Sequence, residues 1–167
     1  MATITTQLQI NAKHHQRFVL SGEDGQVLGC VETHGLIGTW NMFLGWLVSL
    51  PIHDEMQVME NHLLVESKVR WLGAKYRISV NHQPVAVVVT HNFRAGYLIN
   101  IKNEYYQLTT GPGETSFTIT APGVTQPLLA LRQLPGTDDR FVMTVGPTLG
   151  LLTGTGLAMA ILAGHGK

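Results

Sequence analysis

The stretch FVMTVGPTLGLLTGTGLAMAILAG, residues 141–164, contains no charged side chain and decides the fold of this chain. Apolar residues occupy every side from Pro147 onward, which predicts a helix over about residues 147–163. Proline suits the first turn of a helix, and Gly164 follows the expected end. A helix that is hydrophobic on every side is buried in protein or in lipid. Its seventeen residues give a rod of roughly 26 Å, slightly short for a bilayer core of about 30 Å.

The small residues of this segment are compatible with burial in protein and with burial in lipid. Gly146, Gly150 and Gly154 stand four residues apart. Small residues at that spacing allow close backbone approach, in a tight protein cavity as well as between membrane helices. The segment therefore fits the centre of a folded domain, or a tail anchor with residues 141–164 in lipid.

Most of the chain before the helix has the pattern of short strands separated by turns. Tyr76, Ile78 and Val80 alternate with polar residues, at the period of two that is typical of a strand. A turn at residues 81–84 follows, and then the β-branched run of residues 85–90. Turn signals recurring at this spacing indicate an antiparallel meander.

The number of strands favours burial of the helix in protein. The 146 residues before Pro147 make roughly 12 strands, at about 12 residues per strand and turn. An eight-stranded barrel is filled by its own side chains, so enclosing a helix requires more strands. The predicted fold is therefore mainly β, a single closed antiparallel barrel of about 12 strands around the hydrophobic C-terminal helix. It forms one domain over residues 1–167.

The composition excludes some classes of function. The chain has 167 residues, 11 Lys and Arg against 11 Asp and Glu, and only 13% charged residues. Equal numbers of basic and acidic residues leave no excess of positive charge, which a protein that binds nucleic acid over a broad surface needs. No nucleic-acid partner is therefore expected. The single cysteine, Cys30, permits no intrachain disulfide, and the N-terminus has no secretory signal pattern. A cytoplasmic location is therefore expected.

Three stretches resemble a known superfamily. They are RFVLSGEDGQVLGCV (residues 17–31), SFTITAPGVTQPLLALRQL (residues 116–134) and RFVMTVGPTLGLLTGTGLAMAILAG (residues 140–164). Their order resembles the tubby C-terminal-like superfamily, particularly its LURP-one-related and phospholipid-scramblase branches, whereas residues 36–61 depart from that pattern. The resemblance implies a twelve-stranded barrel threaded by a hydrophobic helix. It also implies lipid association, because tubby proteins bind phosphoinositide headgroups and scramblases are linked to lipid movement.

The candidate ligand-binding patch consists of Lys68, Arg70, Lys75 and Arg77. Residues two apart on a strand point to the same face, so adjacent strands would gather four positive charges where a phosphate headgroup could sit. The alternative is an ordinary basic face exposed to solvent. The superfamily provides no site residue that can be aligned here.

Other reactive side chains assemble into no recognisable site. The eight histidines show no metal-ligand spacing, and Cys30 has no nearby base on its strand, so no catalytic residue, metal or cofactor is predicted. The aromatic residues Trp40, Phe43 and Trp46 suit a membrane-interface wedge, a partner surface or a buried hairpin.

The functional expectation is a non-enzymatic binding protein that docks on anionic phospholipid or phosphoinositide at a membrane surface. It is cytoplasmic and peripheral to that membrane, and no protein partner is indicated. The first alternative is a tail-anchored or small integral membrane protein with residues 141–164 in lipid. The second is a small-molecule-binding protein or enzyme on the same scaffold.

Overall fold

A computed structural model describes residues 3–10, 16–32, 52–70, 73–91 and 96–165. Twelve strands and one long helix, labelled in chain order, make up this part of the chain. The strands are β1 (Ile4–Ile10), β2 (Gln16–Ser21), β3 (Val27–Glu32), β4 (Ile52–Val58), β5 (Asn61–Arg70), β6 (Gly73–Val80), β7 (Gln83–His91), β8 (Tyr97–Ile101), β9 (Glu104–Thr110), β10 (Ser116–Thr120), β11 (Leu129–Gln133) and β12 (Arg140–Val145). The helix, α1, spans Leu151–His165.

The twelve strands form one antiparallel sheet in the order β3-β2-β1-β12-β11-β10-β9-β8-β7-β6-β5-β4. Strands that follow each other along the chain pair with each other except β3 and β4, which are the two edges, and β1 also pairs with β12. The edge strands β3 and β4 approach closely and leave a seam in a nearly closed barrel. Gly29 permits that approach, because a side chain there would lie 2.7 Å from the carbonyl oxygen of Gln57.

The two ends of the barrel are distinguished by the helix. At the upper end the chain leaves β12 and begins α1, and the two-residue turns at 81–82 and 102–103 also lie there. Asn81, His82, Lys102 and Asn103 all have positive φ angles, between 50° and 70°. Such turns match the right-handed twist of paired strands and join β6 to β7 and β8 to β9. At the lower end α1 finishes.

Alternation along the strands separates the core from the surface. On β5, Leu63 and Val65 are buried, whereas His62, Leu64 and Glu66, which alternate with them, are half-buried. The buried side chains of the other strands meet in one continuous cluster that also includes the helix. A barrel with this many strands needs such a helix to fill its interior.

The helix occupies the inside of the barrel. The residues from Leu157 to Leu162 are each at most 5% exposed. Gly156 lets the helix approach the wall, because a side chain there would lie 2.5 Å from Ile78 Cγ2 and 3.1 Å from Leu63 Cδ1. Within the ranges that the structure describes, no helix has both the length and the apolar character needed to cross a bilayer.

The predicted fold class, a twelve-stranded antiparallel barrel around a C-terminal helix, is confirmed. The helix begins at Leu151 rather than near Pro147, because Gly150 has a φ of +77°, in the left-handed region that interrupts a right-handed helix. Gly146 and Gly150 therefore lie outside the helix. Of the predicted glycine stripe only Gly154 is helical, and it packs against Val145.

Candidate functional site

The candidate basic residues lie on the outer face of β5 and β6. Lys68 and Lys75 are directly opposite each other in the register of the two strands. Lys68 and Arg77 are exposed, and Lys75 is half-buried. Arg70 is two residues beyond Lys68 on β5, although its side chain is outside the described part of the structure. The structure therefore brings Lys68, Lys75 and Arg77 to one face, as alternation predicted.

The Lys68–Lys75 pair is electrostatically unfavourable in the free protein. Directly opposed side chains in an antiparallel pair have Cβ atoms about 4.5–5.5 Å apart, and like charges at that separation repel. An anion placed between the two ammonium groups would remove the repulsion. This geometry is therefore suited to a phosphate or another anionic headgroup.

One carboxylate lies within the basic face. Glu66 is opposite Arg77 in register. Its Oε1 atom also lies 3.8 Å from His53 Nε2, on the side away from β6. Glu66 therefore places one negative charge among the cations of this face.

The outer face next to these cations is unusually apolar. Val89 lies opposite Lys75 and Val87 lies opposite Arg77 on β7. Leu98 lies opposite Val89 on β8 and is 48% exposed. Apolar side chains beside cations on an exposed surface are typical of proteins that adsorb to lipid surfaces. We call Lys68, Lys75, Arg77, Val87, Val89 and Leu98 the β5–β8 face.

A buried ion pair lies inside the barrel near its lower end. Arg17 Nη1 donates a hydrogen bond of 3.0 Å to Asp54 Oδ1, from β2 to β4 across the intervening strand β3. A register shift between Gln16 and Phe18 places Arg17 at an irregularity of β2. Burial raises the pKa of the Asp54 carboxyl above its ordinary value of 3.8, and Arg17 opposes this effect. The pair joins the two sides of the barrel seam.

Two tyrosines complete this lower interior. Burial raises the pKa values of Tyr76 and Tyr97, so both keep their protons at neutral pH. A side chain at Gly164 would lie 3.5 Å from Tyr97 Cε1 and 3.6 Å from Tyr76 Oη. The last turn of α1 therefore packs against the two tyrosine rings. This contact indicates that the tyrosines have a structural role.

A cavity of about 560 Å³ opens at the upper end of the barrel. Its walls come from the β6–β7 hairpin, the β8–β9 hairpin, Leu128 and the start of the helix. Val85 lines it at a register shift, where Ile78 pairs with Ala86 and Ser79 with Pro84. Bulges of this kind bend a strand and re-aim its side chains. The cavity therefore lies where β7 departs from regular pairing, beside the first turn of α1.

Two of the described histidines lie against each other near the upper end of the barrel. The rings of His62 and His82 stack at 5.4 Å, and His62 Nε2 lies 3.5 Å from Glu55 Oε2. No group of three or more His, Cys, Asp or Glu side chains in this part of the chain is placed to hold a metal ion. Cys30 is half-buried on β3, whereas Trp40, Phe43 and Trp46 lie outside the described residues.

Comparisons of the chain with protein families, with curated proteins and with solved structures gave no match. The resemblance to the tubby-like superfamily therefore stays a prediction from the residues that carry it.

Proposed function

We propose that the protein is a non-enzymatic binding protein whose β5–β8 face docks on anionic phospholipid, including phosphoinositide, at a membrane surface. The observation that carries the proposal is the opposed pair Lys68–Lys75, which continues across the outer face through Val89 to the exposed side chain of Leu98. The cations would attract the headgroups, and the apolar side chains would enter the boundary between headgroups and acyl chains. A cytoplasmic, peripheral protein of the tubby-like superfamily is part of the same proposal.

The arrangement of charges supports docking by one side of the barrel. Strands β5 and β6 stand six places from β11 and β12 in the sheet order, so the two strand pairs lie on opposite sides. The opposite side carries the exposed cations Arg132 and Arg140. These cations provide a comparison surface of the same charge type.

The experiment is flotation of the full-length protein with vesicles of phosphatidylcholine, with and without phosphatidylserine or a phosphoinositide, at low and high salt. The triple variant Lys68→Gln, Lys75→Gln, Arg77→Gln should bind anionic vesicles about a hundredfold more weakly, since each basic residue near such a surface contributes about 1 kcal/mol. The matched variant Lys102→Gln, Arg132→Gln, Arg140→Gln removes the same charge from other exposed positions and should retain most of the binding.

Two outcomes would overturn the proposal. If the native protein does not float with anionic vesicles, membrane docking is excluded. An equal loss of binding in both triple variants would show a response to net charge without a site. A loss confined to the first variant and abolished by salt would support electrostatic docking by the β5–β8 face, because such attraction falls off within a Debye length.

A further inference from the structure

The upper cavity has the size and lining of a small-molecule site. Its volume of about 560 Å³ lies within the range of about 300–1,000 Å³ that is usual for ligand pockets. Val80, Val85, Ile101 and Leu149 supply apolar wall, and hydroxyl, amide and charged groups also line it. A lining that is about equally polar and apolar suits an amphiphilic ligand.

The turns that frame the cavity are fixed by hydrogen bonds. Asn81 Oδ1 accepts a bond of 2.9 Å from the backbone N–H of His62. The N–H of Lys102 donates a bond of 3.2 Å to the carbonyl oxygen of Val85. Asn103 donates from its N–H to Asn100 Oδ1 at 3.1 Å. The cavity is therefore largely formed before any ligand enters it.

The cavity lining carries side chains of both charges. Glu104 keeps its negative charge and accepts a hydrogen bond of 2.9 Å from the Tyr106 hydroxyl, so the carboxylate of a ligand would have to lie away from it. Lys102 also lines the cavity, and none of the ion pairs formed by described residues involves it. Thr148 and Leu149, in the turn before the helix, and Thr153, in its first turn, form the adjacent wall. The first N–H groups of a helix lack partners within it and favour an anion.

We propose that this cavity binds a small carboxylic acid with an apolar tail, with its carboxylate at Lys102 and Thr148 and its tail against Val85, Ile101 and Leu149. The site is separate from the β5–β8 face, and its ligand is a soluble molecule. The inference goes beyond membrane docking and does not depend on it.

The test is a titration of the full-length protein with octanoate in the absence of vesicles, followed by calorimetry and by backbone amide NMR shifts. Octanoate should bind saturably, with the largest shifts at residues 80–85, 101–106 and 148–153. Octanol, which lacks the charge, and acetate, which lacks the tail, should each bind at least about tenfold more weakly, since a hydrogen bond to a charged group and apolar burial are both lost.

The variant Lys102→Gln should lose at least about tenfold in octanoate affinity, whereas Lys75→Gln on the β5–β8 face should leave it unchanged. Lys102→Arg retains the charge and should preserve binding, which separates charge recognition from damage to the turn. Absence of saturable binding, equal affinity for octanol, or an unchanged affinity in Lys102→Gln would each overturn the site. Because no vesicle is present, these results are distinct from failure of membrane docking.

Discussion

The inner and outer faces of strands β5 and β6 contrast within a single pair of strands. Inside, Leu63 and Ile78 are fully buried against the helix at Gly156. Outside, Lys68 and Lys75 face each other across the same pair. The inner face is constrained by packing, whereas the outer face carries an electrostatic arrangement that packing does not require. The fold and the proposed lipid docking are therefore separable by substitution, and inner changes should have much larger effects on stability.

The largest loss of stability should come from removing the helix that fills the inside of the barrel. Deletion of residues 147–167 should abolish cooperative unfolding, followed by circular dichroism and differential scanning calorimetry. Truncation of one large core side chain costs about 2–5 kcal/mol, and the helix contributes Leu157, Met159, Ile161 and Leu162. Their combined loss exceeds the total stability of about 5–15 kcal/mol that is usual for a domain.

Aspartate substitutions at two alanines of the helix test whether the barrel encloses it, and so test the tail-anchor alternative. Ala160 is fully buried, and Ala163 is half-buried on the same helix. Ala160→Asp should unfold the protein, because it buries an unpaired charge, whereas Ala163→Asp should be tolerated better. A folded deletion variant, or equal effects of the two aspartates, would contradict a helix enclosed by the barrel.

A smaller effect is expected where the helix touches the wall. The change Gly156→Val places a side chain against Ile78 Cγ2 and should lower the free energy of unfolding by about 1–3 kcal/mol. Urea denaturation measures the difference. Gly96→Val is the control, because a side chain at Gly96 would meet nothing within 4 Å. Equal stability losses in the two variants would mean that the helix does not pack closely on β5 and β6.

The architecture was predictable because two of its signals are local and strong. The charge-free segment of residues 141–164 and the alternation at Tyr76, Ile78 and Val80 point to a helix and to strands without knowledge of the rest. Strand β4 was not predicted, since the inward position Asp54 interrupts its apolar alternation. Strand β1 was missed as well, because Thr6 is an inward residue of polar type.

The candidate sites were predictable to different degrees. Spacing of two along a strand placed Lys68 with Arg70 and Lys75 with Arg77, but only the register of β5 on β6 sets Lys68 against Lys75. The upper cavity combines two hairpins with a helix start that is far from them in sequence. Its shape depends on the register shift at Val85, next to Pro84; proline near a strand start signals an irregularity, but it does not show that a cavity forms there.

The smallest effect concerns Asp54, a carboxylate on the inner face. Burial raises its pKa in the folded state above the ordinary value of 3.8, despite the hydrogen bond from Arg17. Below pH 3.8 the carboxyl is protonated in both the folded and unfolded states. As the pH rises through the native pKa, the unfolded chain loses its proton first, so the folded protein loses stability.

The variant Asp54→Asn removes this titration while keeping the shape of the side chain. Relative to it, the native protein should lose free energy of unfolding as the pH rises from 3.8 through the native pKa of Asp54, with a constant offset for the unpaired Arg17. Urea denaturation across this pH series measures the difference, and Asp24→Asn, in an exposed turn, controls for removal of one negative charge. If the free energy of unfolding of the native protein, relative to that of Asp54→Asn, instead increases with pH, the attraction by Arg17 exceeds the cost of burying the carboxylate. The ion pair would then be a net stabiliser of the seam, and polar contacts would join apolar packing in holding the inner face together.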